Sequence, residues 1–449
     1  MKKTLTRLSI LAVLISGCKK NDLAPEDQTS INSGDAEDLK STAAALISYR
    51  MPDSNHFDSI PQDPQNPLTA DKVALGQLLF HESRLGINNL SLLGLQTYSC
   101  ATCHHAEAGF QSGLAQGIGE GGIGFGNYGE GRITNPLYDA GLIDVGNIRT
   151  PSAMNTAYSE VMMWNGQFGA TGPNATTQSS WTSGTPKYNN YLGYQGLETT
   201  GLAAEARHRL APDTAWLASV PEYKNLFDLA FPDLPDTARI TNLSVSLALA
   251  AYQRTLLPNQ SPFQLWLRGN NKAMNKDETD GKTLFFGKAK CATCHNSPGL
   301  SAATFYALGM DDLTNGINGV FNVAPNAVEH KGRGGFTNKG KDMYKFKTPQ
   351  LYNLKDVKFL GHGSSFTSVS DLIHYINNAI PQNSNVPLSQ LAKQFQPLNL
   401  TEDEMSKLVK FVEDALYDPN LVRYVPASLP SGDCIPNNDL KSKLERGCN

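Results

Sequence analysis

Cys100-Ala-Thr-Cys-His104 and Cys291-Ala-Thr-Cys-His295 are the two stretches on which the reading of this chain turns. C-x-x-C-H is the attachment pattern of a c-type haem. Two thioethers hold the porphyrin edge, and the adjacent histidine reaches the iron from one face. A thioredoxin-type dithiol does not need the histidine, yet both copies have it. Paired zinc half-sites usually lie far closer in sequence than these two motifs do. The residues therefore point to two covalently held haems. Cys100, Cys103 and His104 serve one, and Cys291, Cys294 and His295 serve the other.

Outward from these motifs the chain repeats itself. Gly76-x-x-Leu-Phe80 precedes the first and Gly281-x-x-Leu-Phe285 the second. Arg149-Thr-Pro-x-x-x-Asn155 is answered by Lys347-Thr-Pro-x-x-x-Asn353. Thr69 opens a capped amphipathic helix ahead of the first motif. Apolar-periodic helices over 240–256 and 401–416 close the two copies, the latter starting on the capping box Thr401-Glu-Asp-Glu404. Matches kept in one order argue for duplication. The expectation is a mainly α fold of two cytochrome c-like haem domains with long loops. Their spans are 67–258 and 259–418. Glycine-rich stretches at 113–131 and 166–196 read as loops rather than strands, and loops of that length are usually functional or mobile.

The formal net charge is -4, which gives no basic surplus for nucleic acid, and 40% apolar content is enough for a sizeable core. Lys2, Lys3 and Arg7 precede a short apolar run over 8–15, too short for a membrane span but suited to an export signal. Ile15-Ser16-Gly17-Cys18 resembles a bacterial lipobox. That implies removal of 1–18 and a membrane tether through lipidated Cys18, in the periplasm or cell envelope. Residues 19–66 read as a linker with one helix near 39–49. In the polar tail, 419–449, Cys434 and Cys448 are expected to form a disulfide in an oxidising compartment.

An open sixth position on a haem iron admits peroxide, whereas two strong ligands make an electron carrier. The chain has nine histidines, none between His105 and His208. His105 cannot reach the face opposite His104, and Met154, Met162 and Met163 fit core packing. The first iron is therefore expected to be open or weakly held on its far side. His374, Tyr375, His362 and Met310 are the candidates beside the second iron.

Taken together, the residues resemble the bacterial di-haem cytochrome c peroxidase and MauG family over roughly 69–417. The resemblance rests on Leu75-Gly-x-x-Leu-Phe80, Arg84-Leu85, Ser99-Cys-x-x-Cys-His104, Phe110-x-x-Gly113, Arg149-Thr-Pro-Ser152 and Met163-Trp-Asn-Gly166. Ser261-Pro-Phe263, the second haem motif and Lys347-Thr-Pro349 continue it. It implies that the N-terminal haem reduces hydrogen peroxide and that the C-terminal haem accepts electrons from a small cytochrome or cupredoxin. Trp164 becomes a relay between them, and His362 a haem-pocket residue. The family's switchable distal histidine is missing, as in the MauG branch. Thr200 takes the place of the family's distal Gln, and Arg209 that of its Glu. Glu205, His208 and Arg209 are thus the candidates for distal chemistry, with Glu198 behind them. The sixth ligand of the second iron falls at Ile376, one residue from Tyr375 and two from His374. The resemblance also implies a calcium ion between the haems, but Arg149 stands where its Asn ligand belongs. The rival readings are a MauG-like enzyme oxidising side chains of a partner protein, and a tethered electron carrier without catalysis.

Overall fold

The computed structural model describes residues 44–448; the lipobox and Cys18 lie outside them. Helices α1 (Ala70–His81), α2 (Gly196–His208), α3 (Asn242–Arg254), α4 (Lys276–Phe286), α5 (Val369–Asn378), α6 (Glu402–Lys410) and α7 (Leu440–Arg446) carry the architecture. Short 3-10 turns and long loops connect them, and α6 runs on into a π-helical turn over Phe411–Ala415. Two small antiparallel pairs are the strands among the described residues, β1 (Gly122–Ile123) with β2 (Ile133–Thr134) and β3 (Ala302–Tyr306) with β4 (Phe346–Thr348). Of these, β1 lies within the glycine-rich stretch 113–131 read as a loop, and its partner β2 just beyond it. No helix among the described residues is long and apolar enough to cross a membrane.

The duplication is visible as geometry. In each half the first helix crosses the last with no side chain between the backbones. A Cβ at Gly76 of α1 would stand 1.9 Å from the Ala248 carbonyl oxygen of α3. A Cβ at Gly281 of α4 would stand 2.0 Å from the Lys407 carbonyl oxygen of α6. One turn on, Phe80 meets Tyr252 with ring centroids 5.2 Å apart, and Phe285 meets Phe411 at 5.3 Å. The same two phenylalanines lie 6.3 Å from His104 and 6.4 Å from His295. The crossing therefore sets where each haem motif sits. Local signals start the helices as the sequence suggests: Thr69 accepts from the Lys72 amide, and Thr401 and Glu404 complete a capping box.

Two segments differ from expectation. Residues 46–66, read as linker from their polar composition, are packed. Met51, Ile60, Asp63 and Asn66 are buried, the Met51 amide donates to Gln264, and Asn66 donates to the Leu247 carbonyl. Buried apolar anchors spaced along a polar run leave no periodicity to read. The tail does close the Cys434–Cys448 disulfide, but it also docks on the first haem loop. Ser99 donates to the Pro436 carbonyl, Thr102 to Asn437, and Arg84 pairs with Asp433 at 3.0 Å.

Replacing Gly76 or Gly281 by alanine is expected to cost about 2–3 kcal/mol, because neither backbone can retreat from the new methyl group. The same change at Gly340, which faces open space, should stay within about 0.5 kcal/mol. Denaturant unfolding of the haem-loaded protein measures the difference.

Candidate haem and peroxide site

Both C-x-x-C-H motifs lie on a 3-10 turn, Cys100–Thr102 and Cys291–Thr293, with the histidine amide donating back to the first cysteine's carbonyl. The four cysteines are free thiols with part of their surface accessible. Burial raises the thiols of Cys100, Cys103 and Cys291 to about 12. Nδ1 of His104 bonds the Phe110 carbonyl at 3.2 Å and Nδ1 of His295 the Leu300 carbonyl at 2.7 Å. That leaves each Nε2 unprotonated and without a protein partner, as an iron ligand requires. Burial first, then the nearby His208 and His105 charges, hold His104 neutral with a pKa of about 4. Burial likewise lowers His295.

Trp164 joins the two repeats. Its indole Nε1 donates to the Arg149 carbonyl at 2.7 Å, and its own carbonyl accepts from the Lys347 amide at 2.7 Å. It thus bonds the first residue of both Thr-Pro segments. Around it lies a cleft of about 130 Å³, lined by Pro151 and Met154 from one repeat and by Pro349, Gly361 and Leu372 from the other. His362 is buried, stacks on Phe346 with centroids 3.6 Å apart, lies edge-on to Trp164 and bonds Asp312 at 3.1 Å. Its backbone carbonyl accepts from the Arg149 amide. It buttresses Trp164, and its Nε2 is committed to a carboxylate.

The distal candidates separate. His208, the last residue of α2, keeps half its side-chain surface accessible and bonds Asp144, which is 8% exposed, through Nδ1 at 3.1 Å. The pair sits beside the first motif: His208 depresses protonation of His104, and Asp144 raises the Cys103 thiol. Burial opposes the His208 charge, but the Asp144 carboxylate and its hydrogen bond outweigh it and hold this histidine above its usual range. Arg209 is withdrawn. It takes a left-handed backbone at φ 56°, ending α2, and its guanidinium is tied to buried Glu120 at 2.5 Å and to the Leu142 carbonyl. Glu205 is exposed and held by Asn88 and Asn242. Thr200 closes on the Gly196 carbonyl. Glu198 is fully buried in an ion pair with Arg254 at 2.9 Å, a structural role. Only Asp144 was missed, since a lone aspartate in a loop carries no signal in the sequence.

Beside the second motif, His374 is turned outward. Its ring is 41% exposed and bonds Glu402 at 3.1 Å, because the amphipathic α5 aims this position at solvent. Tyr375 points inward, and its hydroxyl donates to the Leu308 carbonyl at 2.5 Å. Met310 follows two residues later, its sulfur 3.5 Å from where a Cβ on Gly361 would stand.

Comparison with known proteins agrees with the two-haem reading of the sequence. Residues 70–272 match the family described as di-haem cytochrome c peroxidase. The methylamine utilization protein MauG of Methylorubrum extorquens is 28% identical over 391 residues, covering 84% of this chain and 86% of that protein. The cytochrome-c peroxidase IdrP1 of Pseudomonas sp. (strain SCT) is 26% identical, covering 83% and 88%. Residues 70–272 thus carry a domain of the di-haem cytochrome c peroxidase family. The fold agrees with a crystal structure of a MauG-like protein associated with microbial copper homeostasis, with TM-score 0.59, 22% identity, and coverage of 83% of this chain and 96% of that one. Members of this family are oxidoreductases that carry two haem c groups. The residues present fit two such groups: four free thiols, two histidines with Nε2 open, and a buried guanidinium, Arg149, with Nε and Nη2 unpartnered beside the cleft. The position of the Asn ligand that the resemblance assigns to calcium is taken by the Arg149 guanidinium, a cation that cannot ligate one. Among the described residues no cluster of three or more His, Cys, Asp or Glu is placed to hold a metal ion, and Asn147 spends its side-chain oxygen on the Ala324 amide.

Glu198→Ala strands the Arg254 charge and should lower stability by about 3–5 kcal/mol in denaturant titration. His374→Ala should leave the absorption spectrum of the second haem unchanged, since its ring faces solvent; a lost or shifted band would contradict that placement.

Proposed function

We propose that this protein reduces hydrogen peroxide to water at its first haem, with electrons delivered through the second by a small cytochrome or cupredoxin. The observation that carries the reading is the His208–Asp144 pair, accessible and held near the first haem motif by Tyr98, which stands two residues before Cys100 and whose hydroxyl donates to the His208 carbonyl at 2.7 Å. The haems supply the electrons and the iron at which the O–O bond is cleaved. With Nδ1–H donating to Asp144, neutral His208 presents the Nε2 lone pair. It takes the proton from one peroxide oxygen and returns it to the other, so that the departing oxygen leaves as water. Asp144 holds the ring in that tautomer and stabilises the imidazolium between the two transfers. Trp164, bonded to both Thr-Pro segments, is the connection for electrons between the two haem sites. The N-terminal unit, 67–258, is accordingly the peroxidatic one and 259–418 the electron-accepting one.

A second reading follows from the similarity to MauG: oxidation of side chains of a partner protein, with peroxide as oxidant. Turnover of peroxide by the haem-loaded protein separates the two. Fast, donor-dependent turnover without prior reduction supports the peroxidase. Slow turnover, with an oxidised spectrum that persists after peroxide, supports the MauG-like reading.

His208→Ala should lower peroxide turnover about 100-fold or more while both haem spectra persist; unchanged turnover would remove His208 from the mechanism. The base must be neutral, so activity rises with pH through the raised His208 pKa. Asp144→Asn removes the charge that raises it. The acidic limb of the pH–rate profile should therefore move to lower pH, and a limb that stays in place would show that it belongs to another group.

A further inference from the structure

Two cations face the cleft between the haem motifs, Arg149 buried and Lys347 half-buried, and neither has an acidic partner. The Arg149 side chain is 3% exposed. Its Nη1 reaches Gln111 at 2.5 Å and the Thr150 carbonyl at 3.2 Å, while Nε and Nη2 have no partner. Lys347, its counterpart in the repeat, bonds only neutral groups, Ser159 at 3.3 Å and the Val161 carbonyl at 3.0 Å. Both line the same cleft, together with Pro151 and Pro349. Burial alone pushes Arg149 down to about 9 and Lys347 to about 8, with no nearby carboxylate acting on either. Buried Arg254 and Arg132 are neutralised by Glu198 and Asp439. Buried Arg333, which has no carboxylate in contact, spends its guanidinium on the Asn165, Gly166 and Pro173 carbonyls, whereas Arg149 keeps two N–H groups unpartnered. A buried charge without a counter-charge is strongly destabilising, and a guanidinium with two open N–H groups is shaped for a carboxylate.

We propose that Arg149 and Lys347 receive haem propionate carboxylates in this cleft, and that their fixed charge takes the part the sequence resemblance assigns to a calcium ion. A thioether-bound haem brings two ionised propionates and no other anion. The placement is symmetric: both cations begin a Thr-Pro segment, and Trp164 bonds the backbone of both. Positive charge there favours the reduced haem, so the protein sets the potentials of its haems on the Trp164 side with side chains that cannot dissociate. This inference rests on the two-haem reading but not on peroxide as substrate.

The test uses the purified two-haem protein and its Arg149→Met and Lys347→Met variants. Midpoint potentials are read by spectroelectrochemical titration, and calcium content by atomic emission before and after dialysis against a chelator. The wild type should hold no calcium, and its spectra should ignore both chelator and added calcium. Each variant should lower the potential of at least one haem. If Arg149→Met fails to load haem, Lys347→Met and the calcium measurements on the wild type still decide. Calcium that survives purification and whose removal alters the haem spectra would overturn the proposal, as would unmoved potentials in the loaded variants. Lowered potentials in a protein that does not turn over peroxide would sink the peroxidase reading alone. Normal turnover with unmoved potentials would sink only this one.

Discussion

The close crossing of the first and last helices of each repeat is the contact on which the rest of the structure depends. Backbone meets backbone at Gly76 and Ala248, and again at Gly281 and Lys407. That contact brings Phe80 and Phe285 against His104 and His295, so the crossing positions the iron ligand in each half. Short 3-10 turns present the cysteines, and a carbonyl on Nδ1 of each histidine orients its ring. A side chain at either glycine would separate the helices and displace the haem loop with them.

Duplication alone would make two similar electron carriers. The halves differ in what surrounds their irons. Beside the first motif stands a histidine–carboxylate pair with an accessible ring, the arrangement suited to moving a proton. Beside the second, α5 turns His374 to solvent and Tyr375 inward, its hydroxyl on the Leu308 carbonyl. Between them, Trp164 bonds the same position of each repeat. Two unpaired cations, Arg149 and Lys347, look into the cleft it borders. The difference between the two sites is built from loops and helix ends on a symmetric frame, which is where binding and catalytic groups commonly reside.

Much of this was legible in the sequence because the constraints are local. A haem motif is five consecutive residues, a capping box is four, and Gly-x-x-Leu-Phe repeats because one helix crossing repeats. What was not legible depends on distant partners. His208 and Arg209 are adjacent in the chain, yet a change to left-handed backbone at Arg209 sends one to Asp144 and the other to Glu120. Glu198 was indistinguishable from Glu205 until burial placed the first against Arg254 and left the second at the surface. His374 and Tyr375 are neighbours on opposite faces of a helix. The segment 46–66 and the tail have the composition of linkers, but single anchors such as Met51 and Asn437 bind them to the core.

The link between the two haem sites through Trp164 is tested most directly by rapid mixing. Protein with both haems reduced is mixed with one equivalent of hydrogen peroxide, and the reduced absorption band of each haem is followed. Both bands should decay together, with both electrons consumed per peroxide, and Trp164→Leu should slow the decay of the second haem while sparing the first. Decay of one band with the other persisting in the wild type, or an unchanged rate in the variant, would contradict an electron path across this residue.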